Sequence, residues 1–161
     1  MMITKDDVQP VYDRVFEVAA GIIKRGGQHA PIFARLGRNP DRALGYFDLM
    51  MLTLESDEQK ELVGKFLRMQ RADCGPDEAI MFITEAWTLT VPADGKANLN
   101  TPVKDQPGAR ECVHFAFSGP GFQYEASCII SRDPNALEKA ELLDIKESYG
   151  RMGITGRALP R

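Results

Sequence analysis

Apolar residues recur at three- and four-residue steps in two stretches of the chain. Val8, Val11, Tyr12, Val15, Phe16, Ala19, Ile22 and Ile23 form one stripe. It predicts a helix over residues 7–25 that lays this face on a core. Asp6 or Asp7 is the expected cap, Pro10 is tolerated because it falls in the first turn, and Gly26 and Gly27 end the helix. The second stretch predicts a helix over residues 57–73. Ser56 followed three residues later by Gln59 has the capping-box pattern. Asp57 and Glu58 lie at the positive end, with Arg68 and Arg71 near the negative one. Leu62, Val63, Phe66, Leu67 and Met69 are expected to form its buried face, and Gly75-Pro76 stops it.

Elsewhere the pattern shortens to strands. Residues 31–36 and 44–52 flank the turn signal Asn39-Pro40-Asp41. The second run is continuously apolar, so strand against helix stays open there. Residues 79–91 carry apolar side chains on both alternating faces, as a central strand does. Residues 111–118 and 122–132 predict a hairpin around Ser118-Gly119-Pro120-Gly121. Pairing Val113 with Cys128, Phe115 with Ala126 and Phe117 with Tyr124 puts every apolar residue on one face. A one-residue slip would set Phe115 against Glu125, so the first register is preferred. It leaves Cys112, His114, Ala116, Gln123, Glu125 and Ser127 on the second face. Asp133-Pro134 has the form of a helix start, which predicts a short helix over residues 134–148. Residues 92–110 offer almost nothing to bury, as a hairpin connection or a binding arm would. Residues 150–161 form a basic tail with Arg151, Arg157 and Arg161, either frayed or docked on a partner.

Together these elements predict an α+β fold in one domain over residues 1–149, in the order α-β-β-α-β-β-β-(α). An antiparallel sheet of about five strands would carry the two main helices on one side. Its other face would be covered by the terminal segment or by a second subunit, which makes a homodimer the expected assembly.

Composition narrows the chemistry. The 161 residues are 43% hydrophobic and 27% charged, near the average of soluble globular proteins. A net charge of −3 and a pI of 5.4 make nucleic acid an unlikely partner, since phosphate binding favours a basic surface. No apolar run is long enough to cross a bilayer, and the N-terminus lacks a signal-peptide pattern, so a cytoplasmic location without membrane contact is expected. The three cysteines and two histidines are scattered and no CxxC occurs. They suggest reduced thiols, with neither a metal site nor a cofactor. Phosphate-loop, dinucleotide, zinc-protease and nucleophile-elbow motifs are missing.

Three constellations remain. Glu85 interrupts the apolar line Met81, Ile83, Trp87, Leu89. A carboxylate there is a structural partner of an arginine or of amides, an exposed group, or a general acid or base. His114 lies opposite Ser127 and diagonal to Glu125, the parts of an acid–base or nucleophilic site or simply a solvated polar pair. Cys112 stands about 6.5–7 Å from His114 along the strand, too far for direct activation. Arg35, Arg38 and Arg42 around the first hairpin read as a solvated turn or an anion site. Trp87, Arg151 and Arg157 are the candidate partner-binding residues.

The stretch Phe82-Ile83-Thr84-Glu85-Ala86-Trp87, with the Ser56 helix before it, resembles small uncharacterised bacterial proteins that carry Glu-Ala-Trp on a strand. The likeness covers the middle third of the chain. It implies a cytoplasmic bacterial or phage-like protein and no particular activity, so no catalytic residue carries over. The function expected from all this is a non-catalytic binding or accessory protein acting through a partner or subunit surface. The alternatives are a small hydrolase or other acid–base enzyme using Glu85 or the His114/Glu125 face, and a small-ligand sensor with its pocket between sheet and helices.

Overall fold

Thr4, rather than Asp6 or Asp7, caps the first helix. In the computed structural model, which describes residues 2–89 and 100–145, helix α1 runs Lys5–Lys24. The Thr4 hydroxyl accepts from the Asp7 amide, and the Asp7 carboxylate accepts from the Thr4 amide at 2.8 Å. Each satisfies a donor that the first turn leaves over. The chain continues as β1 (Ile32–Arg38), β2 (Leu44–Met51), helix α2 (Asp57–Ala72) and β3 (Glu78–Thr88). After a single 3-10 turn at Val103–Asp105 come β4 (Arg110–Gly119), β5 (Phe122–Arg132), β6 (Asn135–Leu137) and β7 (Leu143–Asp144).

The strands form one antiparallel, curled sheet in the order β2-β1-β3-β4-β5-β6, with β7 also paired to β5. β3 is central, as its two apolar faces require. The hairpin β4–β5 has the register argued from its pattern: Val113 faces Cys128, Phe115 faces Ala126 and Phe117 faces Tyr124. Pro120 and Gly121, the latter at φ 79°, make its turn.

The two helices lie on opposite faces of the sheet, which corrects the expectation that they share one. Strand residues alternate, and each face supplies its own apolar set. On one face α1 buries Val8, Val11, Tyr12, Phe16, Ala19 and Ile23 against Met81, Ile83, Phe115 and Phe117. On the other, Val63 and Leu67 of α2 meet Phe33, Ile80, Phe82 and Ala116. Leu62 and Met69, expected in that buried face, are instead 59% and 71% exposed. The apolar arc of α2 is wider than the strip the sheet can cover.

The terminal helix expected from residue 134 onward is not formed in its described part. Residues 133–134 turn into β6, and the following segment is held by side chains of the core. The buried Tyr12 hydroxyl donates to the Ala140 carbonyl and meets Cys128 Sγ at 3.2 Å. Leu142 is fully buried, and the Ile145 amide donates to the Gln123 carbonyl. Apolar residues spaced for separate anchoring give no helical stripe. The tail with Arg151 and Arg157, the end of the predicted helix, and residues 90–99 lie outside the described residues.

Candidate functional site

The register of β4 and β5 assembles one polar cluster on the α2 side of the sheet. His114 Nε2 lies 2.7 Å from Glu125 Oε1, and Nδ1 lies 2.9 Å from Ser127 Oγ. A carboxylate only accepts, so Nε2 carries the proton donated to it. In the neutral imidazole Nδ1 then accepts from the Ser127 hydroxyl. The order serine, histidine, carboxylate is that of a proton relay. Cys112 sits on the same face but is buried, and burial pushes its thiol up to about 11, which leaves almost no thiolate at neutral pH. Around the cluster the backbone is committed to the sheet ladder, so the neighbouring amides of β4 and β5 are not free to meet a reacting oxygen.

Glu85 is on the opposite face of β3, directed away from that cluster. Its Oε1 accepts from the His29 amide at 3.0 Å and lies 3.8 Å from Arg132 Nη2. Both contacts tie the α1–β1 connection and the end of β5 to the central strand. Glu85 also borders an open groove of about 1050 Å³, whose wall includes His29, Leu54, Lys60, Trp87 and Lys104. Trp87 is 43% exposed there.

Of the arginines around the first hairpin, Arg42 is exposed as a solvated turn residue would be, whereas Arg35 and Arg38 are engaged within the chain. Arg35 bonds Gln70, Asp73 and Glu78. Arg38 clamps both oxygens of Asp7 and also reaches Asp77. This fixes β1 to α1 and to the α2–β3 connection. The Arg38 guanidinium beside it, with hydrogen bonds from Thr4, holds the Asp7 carboxyl down at about 2.

A further feature was not legible as a site in the sequence. β2 is an edge strand, and Tyr46, Phe47, Leu49, Met50 and Met51 are between 42% and 74% exposed. Leu49 and Met50, with Phe33 and Phe66, line a channel of about 350 Å³ between β2 and α2. At 3.6 residues per turn, Leu62, Phe66 and Met69 fall within about 60° of one another around α2. Phe66 therefore joins the channel to the exposed stripe of α2, and Phe47, Leu49 and Met50 form one apolar rim with that helix, while Tyr46 and Met51, opposite Leu36 and Ile32, face the α1 side. The unbroken apolar run over residues 44–52 was its signal, but such a run reads equally well as a buried strand. At Asp48, φ is 52° and the β1–β2 register shifts, a bulge that breaks the edge in its middle.

Comparison with family models, with curated proteins and with solved structures finds no match to this chain. No helix among the described residues is long and apolar enough to cross a membrane. Among the same residues no three His, Cys, Asp or Glu side chains are grouped to hold a metal ion.

Proposed function

We propose that this protein is a non-catalytic binding protein that acts through the apolar rim of β2 and α2. The observation that carries the reading is the exposure of five large apolar side chains, Phe47, Leu49 and Met50 of β2 and Leu62 and Met69 of α2, along neighbouring edges. Monomeric proteins rarely leave a contiguous apolar patch of more than roughly 300–600 Å² uncovered. Two of the five are methionines, whose flexible, polarisable side chains suit a surface that adapts to a partner. Mild peroxide treatment followed by peptide mass analysis tests the reading. Met50 and Met69 should oxidise quickly in the purified chain at nanomolar dilution and slowly in intact cells producing it at native level. Equal oxidation in both settings removes the rim as a working surface.

The Ser127–His114–Glu125 relay supports a second reading, a hydrolase with Ser127 as nucleophile. It requires labelling of Ser127 by a fluorophosphonate, lost in His114→Ala. A native chain that takes up no label disposes of it.

A further inference from the structure

We infer that the rim is closed by a second copy of this chain, with the two α2 helices packed antiparallel about a two-fold axis. The inference rests on the rim being a binding surface and names its occupant. Three observations favour a second copy.

The first is area. With the exposures found for Phe47, Leu49, Met50, Leu62 and Met69, the rim presents roughly 500 Å², so that two copies together reach about the 1,000 Å² a specific interface needs.

The second is charge. The outward side of α2 carries Glu58 and Glu61 in its first half and Lys65 and Arg68 in its second. Two antiparallel copies set acidic half against basic half, whereas a parallel pair sets like against like. With Leu62 of one copy opposite Met69 of the other, the axis crosses between residues 65 and 66. Glu61 of one copy then lies about 3 Å along the helix from Arg68 of the other. A surface that complements itself under a two-fold rotation is what an isologous dimer needs.

The third is the bulge at Asp48. It interrupts the free edge of β2, so a copy added there cannot simply lengthen the sheet. Contact must come from the side chains of the rim, with the partner's α2 flanked by Phe66 and Met50.

Sedimentation equilibrium of the full chain from about 0.1 to 100 μM tests this. The average mass should rise from one chain to two. Leu62→Glu and, independently, Met69→Glu should each weaken association at least about 100-fold, with melting of the isolated chain unchanged. Glu61→Arg and Arg68→Glu should each weaken it about 10-fold, and the double reversal should restore it. A chain that stays monomeric across the range overturns the inference. So does a dimer indifferent to both glutamate variants, and failure of the double reversal to rescue overturns the antiparallel arrangement. A monomeric chain whose rim methionines are still protected in cells would sink the second copy while leaving the binding surface standing. Unprotected methionines would sink both.

Discussion

At residue scale the pair Asp7–Arg38 does two tasks at once. Asp7 completes the cap of α1 and accepts from both ends of the Arg38 fork, at 3.2 and 3.1 Å. Its carboxyl is held at about 2, below its usual 3.8, first by the hydrogen bonds from Arg38 and against the opposing effect of burial. A carboxyl lowered on folding stabilises the fold above its unfolded value and loses that contribution as pH falls toward its folded one. This stabilisation is complete above about pH 5 and fades toward pH 2. Asp7→Asn should cost about 1–2 kcal/mol at neutral pH. The gap from the parent chain in urea unfolding should close as pH falls from about 5 to about 2. A gap that is flat across that range would show that Asp7 acts only as a cap. None of this pairing was legible in the sequence, because Asp7 and Arg38 are 31 positions apart. Local pattern marks a cap or a turn but not the distant charge that completes it. His114, Glu125 and Ser127 were legible, because a two-stranded hairpin with one apolar face has a single sensible register and that register fixes every neighbour.

At the scale of elements, α2 shows where periodicity stops being informative. The cap at Ser56 and Gln59 forms as its pattern demands. The apolar arc from Leu62 round to Leu67 spans more than one face, however, and only the sheet decides which part is covered. Leu67 is fully buried while Leu62 is not. Leu67→Ala should therefore cost about 2–5 kcal/mol, and Leu62→Ala should stay within about 0.5 kcal/mol in thermal or urea unfolding of the monomer. Comparable losses would place both in the core. The same limit explains the missed terminal strands. Leu137 and Leu142 serve separate anchoring points along β5 and α1, and two isolated anchors leave no period to read. The placement of the two helices on opposite faces was implicit in β3, whose Ile80 and Phe82 alternate with Met81 and Ile83, but nothing local assigns a given helix to a given face.

At the scale of the whole molecule, the sheet has two unlike borders. On the far side, β6 and β7 cover the ends of β5 and occupy its outward hydrogen-bonding groups. On the near side, the left-handed residue at Asp48 interrupts β2. Neither border offers a long straight template, so strand-on-strand growth from molecule to molecule is checked at both ends. A chain with this much greasy surface would otherwise be a candidate for fibrils. With the rim closed by a second copy as inferred above, the kink confines stickiness to a patch that one docking event uses up, and assembly that begins there also stops there.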